Sequence, residues 1–126
     1  MLSLIFATTV IAATLDFKAD YSTAIEGKLV AGADAIVKYD LYRAKCDHAH
    51  EDGFDTWGVY LNYAFNDDFS NTVTTAIARS PTGTLEYYTP SIPLKKGKLA
   101  IWVFCSSEMD TTYDSNYGKN WIFNVE

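Results

Sequence analysis

Tyr113-Asp114-Ser115-Asn116-Tyr117-Gly118-Lys119-Asn120-Trp121-Ile122-Phe123-Asn124-Val125 is the stretch on which the reading of the fold turns. Its first half sets Asp, Ser, Asn and Gly between aromatics, the composition of a tight turn whose polar side chains cap backbone amides. Its second half alternates, with Trp121, Phe123 and Val125 on one face and Asn120, Ile122 and Asn124 on the other. That is the period of a strand with one face buried.

The same period runs back through the chain. Leu99, Ile101, Val103 and Cys105 form the preceding strand, and Trp57, Val59, Leu61, Tyr63 and Phe65 are the cleanest run of all. Further upstream, Ala35, Val37, Tyr39 and Leu41 face one way while Lys38 and Asp40 face the other. Leu15, Phe17, Ala19 and Tyr21 alternate, as do Ile25, Gly27, Leu29 and Ala31, and as do Val73, Thr75 and Ile77. Leu85 and Tyr87 begin a strand that Pro90 and Pro93 end at a sheet edge. Turn clusters separate the runs: Gly32-Ala33-Asp34, Asp52-Gly53, Asn66-Asp67-Asp68, Ser80-Pro81-Thr82-Gly83 and Lys95-Lys96-Gly97. No stretch of helical length carries helical periodicity with caps. The pattern predicts an all-β, antiparallel β-sandwich of seven to eight strands, immunoglobulin-like or carbohydrate-binding-module-like in plan.

Leu2 to Ala13 is an uncharged run of apolar and small residues. It is short of the roughly 20 residues that span a bilayer and fits the apolar segment of a secretory signal ending near Ala12 or Ala13. No Lys or Arg precedes it. The expected organisation is a signal peptide over residues 1–13 and one sandwich domain over residues 14–126, secreted to the extracellular side. A first buried strand is the competing reading of the run. In an exported chain the two cysteines, Cys46 and Cys105, are expected to form a disulfide. Closing a loop of about 60 residues would stabilise the fold by about 4 kcal/mol in the chain-entropy description. A net charge of −6 repels nucleic acid and anionic membranes, and it leaves neutral ligands indifferent. Aromatic residues make up 15% of the chain, enough apolar surface to argue against disorder.

Two resemblances follow from these residues. The C-terminal stretch resembles the closing aromatic-Asp-Asn/Ser-Asn-x-Gly-x-Asn-Tyr strand of starch- and glycogen-binding carbohydrate-binding modules. Gly27-Lys28-Leu29-Val30-Ala31-Gly32, then Val37-Lys38-Tyr39-Asp40-Leu41-Tyr42-Arg43 and Cys46, resemble an uncharacterised family of bacterial secreted β-sandwich domains. That family shows a Gly-x-Leu-x-x-Gly entry and an aliphatic-x-Tyr-Asp-x-x-Arg strand with a Cys just after it. Trp57 with its strand and Leu99 to Phe104 extend this likeness over roughly residues 15 to 126. It implies a fold and no mechanism. The narrower starch-binding resemblance implies that Tyr113, just before the turn, contributes to a ligand platform, with Trp57 as the loose counterpart of a second contributor. Ser115 stands where that family often has Asn, and Trp121 where it usually has Tyr.

A pyranose offers an apolar face that stacks on aromatic rings and a rim of hydroxyls that needs donors and acceptors. The candidate ligand residues are therefore Tyr113, Asp114, Asn116, Tyr117, Asn120 and Trp57. Trp57 and Trp121 read more readily as core aromatics at strand ends, and Trp102 and Phe104 as part of a strand buried on both faces. His48 and His50, two residues apart beside Asp47 and Asp52, have the spacing of metal ligands, but the segment reads better as a solvated loop, and no metal or cofactor is expected. No nucleophile elbow, phosphate loop or dinucleotide fingerprint occurs, so no enzyme is expected. The reading is a secreted, non-catalytic module that binds a neutral polysaccharide or oligosaccharide of the starch or glycogen type. Its alternative is a secreted structural or protein-interaction domain without a sugar site.

Overall fold

In the computed structural model of the chain, the structure describes residues 10–44, 57–80, 85–107 and 111–126. Among the described residues, ten strands make two sheets. β1 (Ile11–Phe17), β2 (Thr23–Gly27), β3 (Asp34–Tyr39) and β7 (Ser91–Pro93) form one sheet in the order β2-β1-β3-β7. β4 (Trp57–Phe65), β5 (Val73–Ser80), β6 (Glu86–Tyr87), β8 (Gly97–Ser107), β9 (Thr111–Asp114) and β10 (Trp121–Val125) form the other, in the order β10-β8-β4-β5-β6 with β9 also on β8. The sheets pack face to face through Leu15, Phe17, Val37, Val59, Leu61, Ile92, Leu99, Ile101, Val103 and Val125, all essentially without solvent contact. The molecule is an all-β sandwich.

Three expectations change. The strands among the described residues number ten, because β7 is a separate short strand where Pro90 and Pro93 signalled only an ending, and β9 precedes the polar loop. β1 and β3 run parallel, Leu15 opposite Val37 and Phe17 opposite Tyr39, so the smaller sheet is mixed. Alternation cannot reveal this, because side chains alternate identically in both pairings. Finally, β1 ends at Phe17: Ala19 is exposed, and Tyr21 turns the chain with φ of 68°.

The expected signal boundary falls inside β1. Ala13 is buried and paired with Gly27, and the Asp34 N–H donates to the Val10 carbonyl at 2.8 Å. Residues 1–9 lie outside the described residues. In the larger sheet, the whole of β4 lies along β8, with Tyr60 opposite Phe104 and Tyr63 opposite Ile101. The apolar faces of these two strands point inward as the period predicts. Their outer faces carry Tyr60, Trp102 and Phe104, half-buried against one another: Tyr60 and Phe104 stack at 5.2 Å between centroids, and Phe69 meets Trp102 at 5.9 Å.

Candidate functional site

The polar loop is not a hairpin turn. With β4 occupying one edge of β8, both β9 and β10 pair with the other, Asp114 opposite Val103 and Trp121 opposite Ile101. Residues 115–120 are thus an excursion from one interrupted edge strand, which loops out beside Trp102 and rejoins in the same direction. The loop's own polar groups build it. The Asn120 N–H donates to the Ser115 carbonyl at 2.7 Å, the Gly118 N–H to Ser115 Oγ at 3.1 Å, and Asn116 Nδ2 to the Asn120 carbonyl at 3.2 Å. Asn116, Tyr117, Gly118 and Asn120 all have positive φ. Asn and Gly tolerate that region, whereas a bulky tyrosine at φ of 58° is strained.

Beneath the loop sits a buried arginine. The chain leaves β3 and makes a short 3-10 turn over Leu41–Ala44, opened by the Asp40 carboxylate accepting the Tyr42 N–H at 3.0 Å. The turn points Arg43 inward, so the arginine that the resemblance placed on a strand lies beyond the strand's end. Asp114 points inward too, because Tyr113 shares the outer face with Phe104. Arg43 Nε donates to Asp114 Oδ2 at 3.0 Å, and the Tyr39 hydroxyl donates to the same oxygen at 2.6 Å. Arg43 Nη1 donates to the carbonyls of Ser22 at 3.2 Å and Lys18 at 3.4 Å. Among the described residues, four rings surround the guanidinium carbon: Trp121 at 5.0 Å, Phe17 at 5.1 Å, Tyr21 at 5.5 Å and Tyr39 at 5.6 Å. Pairing and ring faces together make a buried charge tolerable. Burial, reinforced by the hydrogen bond to Asp114, raises the Tyr39 hydroxyl far above the ordinary tyrosine range, so it stays a donor.

A cleft of about 530 Å³ opens beside this assembly. It is lined by Tyr21, Arg43, Ala44, Thr112, Tyr113, Asp114, Ser115, Asn116, Tyr117 and Trp121. Its size is that of an ordinary small-ligand pocket. Tyr113 is 68% exposed and Tyr117 100%. The Tyr113 ring leans on Phe104 at 6.1 Å, and Phe104 in turn stacks on Tyr60. One face of Tyr113 is therefore supported from behind.

Four of the six candidate ligand residues, Tyr113, Asp114, Asn116 and Tyr117, meet at this cleft. Asp114 is committed to Arg43 and Tyr39, and the Asn116 amide to the loop itself. Asn120 does not line the cleft, and its backbone N–H and carbonyl close the turn. Trp57 packs half-buried against the core at the start of β4, away from the cleft lining. Sequence reasoning missed Tyr21, Arg43 and Thr112, and it weighed Trp121 mainly as core, whereas that ring both packs on Phe17 at 5.8 Å and forms a cleft wall. The one available signal was the Tyr39-to-Arg43 spacing. Cys46, His48 and His50 lie outside the described residues. Among the described residues no cysteine is free and no group of three metal-ligating side chains occurs.

Fold and cleft together define a β-sandwich with an aromatic-walled pocket at an interrupted edge strand. The chain belongs to a family of unknown function, DUF6209, matched over residues 5–126. No curated protein and no solved structure matches it.

Proposed function

We propose that the protein is a secreted, non-catalytic module that binds a neutral glycan of the starch or glycogen type by aromatic stacking at this cleft. One observation carries the reading: Tyr113 and Tyr117 stand open to solvent at a cleft whose rim also presents Thr112, Ser115 and Asn116. A ring already supported by Phe104 loses little freedom on binding, so its contact is not offset by ordering cost. The strained backbone under the fully exposed Tyr117 also fits a presented ligand contact. Such a site needs only stacking and hydroxyl recognition, and no reacting pair of groups is called for. Pull-down on insoluble starch, with calorimetry on maltooligosaccharides, tests the reading; retention on starch with measurable heat is expected, and absence of both would overturn it.

The other reading, a structural or protein-interaction domain, gains from the outer face of the larger sheet. There Ile122 and Phe69 are about half exposed beside Trp102. A chain that ignores every glucan but captures a protein through that face would establish it.

A further inference from the structure

Aromatic surface continues past the cleft on the side of Tyr113. That ring leans on Phe104 at 6.1 Å, and Phe104 stacks on Tyr60 at 5.2 Å across the β4–β8 pair. Two residues back along β8, on the same outer face, Trp102 precedes Phe104 by a rise of about 6–7 Å. Trp102 in turn meets Phe69 at 5.9 Å, and Phe69 stands 47% exposed on a short 3-10 turn, Phe69–Asn71, that follows β4. Tyr113, Phe104, Trp102 and Phe69 therefore make one line of rings from the cleft to the far end of β4.

The strip is low and uncharged. Gly58 lets the Tyr60 ring lie against the sheet, since a Cβ there would collide with it. The outward positions from Gly58 to Ala64 on β4, and from Ala100 to Ser106 on β8, carry no charged side chain. Their polar element is Asn62, whose Oδ1 accepts the Thr74 hydroxyl. Ring faces with neutral polar groups between them match the apolar faces and hydroxyl rim of a glucan. A protein partner of this acidic chain would find no charge on the strip to steer it.

We propose that the strip extends the cleft, so that a glucan chain anchored at Tyr113 runs over the outer face of β8, across Trp102, to Phe69. The inference rests on the glycan reading above and names the ligand's class: a polymer long enough to reach Phe69, preferred over a short oligosaccharide that fills the cleft alone. Tyr60, Phe104 and Trp102 are half-buried and already held in place, so their contacts form with little loss of freedom.

Calorimetry with maltotriose and maltoheptaose on the wild-type protein, Tyr113→Ala and Phe69→Ala tests this. The wild type is expected to bind maltoheptaose about tenfold more tightly than maltotriose. Tyr113→Ala is expected to weaken both sugars, whereas Phe69→Ala leaves maltotriose unchanged and weakens maltoheptaose about fivefold. In proton NMR of the wild type, the Trp102 indole signal is expected to move with maltoheptaose and stay still with maltotriose, a readout that needs no variant. Equal wild-type affinity for the two lengths, unchanged maltoheptaose binding in Phe69→Ala, or a Trp102 signal that neither sugar moves would overturn this inference and leave the glycan reading standing. So would a dimer in sedimentation that Phe69→Ala dissociates, which would put a second copy of the chain on the strip. No binding of either sugar by the wild type would overturn both.

Discussion

Single side chains divide into those that hold the site and those that face outward from it. Tyr113 faces outward, with 68% of its surface exposed and one face resting on Phe104. Replacing it by Ala removes a stacking surface worth about 1–2 kcal/mol. Calorimetry on maltooligosaccharides should show affinity down roughly tenfold, with the thermal midpoint almost unmoved. Tyr39 is the converse case. Its hydroxyl donates to Asp114 beside the Arg43 ion pair, and Tyr39→Phe should cost about 1.5–3 kcal/mol in urea unfolding, the range for a hydrogen bond to a charged group. The same bond sets a pH dependence. The folded-state pKa lies above the unfolded value of about 10, so the contribution is complete below that pH. It is lost as pH climbs past it, because the unfolded chain then releases a proton that the folded chain keeps. Unfolding midpoints measured from pH 8 to 11.5 should fall above pH 10, and fall less in Tyr39→Phe. Some decline will persist in the variant, because burial raises Tyr63 in the same direction.

At the scale of elements, the inward positions of β4 and β8 could be read from period two alone: Val59, Leu61, Tyr63, Leu99, Ile101, Val103 and Cys105 are all buried. β6 and β7, two and three residues long, are too short to carry a period. The residues of the arginine cluster were visible in the sequence, but their meeting was not. Periodicity cannot say that the chain leaves β3 in a 3-10 turn, nor that Asp114, 71 residues on, points at the same spot. The loop's turn chemistry was legible, whereas its placement within one edge strand depended on pairing partners distant in sequence. Gly27, legible in the sequence as a position in an alternation and as the first residue of the Gly-x-Leu-x-x-Gly entry, has a defined backbone role. It ends β2 at φ of 81°, and a Cβ there would clash with the Ala12 carbonyl oxygen. Gly27→Ala should therefore destabilise by more than about 1 kcal/mol, read as a lower urea midpoint with unchanged slope.

For the whole molecule, the expected covalent tie is Cys46 to Cys105. Cys105 is buried on β8 opposite Thr112, and Thr112 Oγ1 donates to the carbonyl of Ala44, two residues before Cys46. Thiol counting on the unfolded, unreduced protein should find no free thiol, and reduction should lower stability by about 4 kcal/mol; two titratable thiols would exclude the bridge. The fold is also closed by non-covalent contact between its ends. Phe17 of β1 packs edge-on against Trp121 at 5.8 Å and Phe123 at 6.3 Å, and Leu29 and Ala31 exchange main-chain hydrogen bonds with Glu126. A chain made from its N-terminus therefore cannot bury Phe17, nor enclose Arg43, until residues 121–126 exist. Folding of the sandwich has to wait for β10, so a chain cut short before that strand stays open and slow to condense.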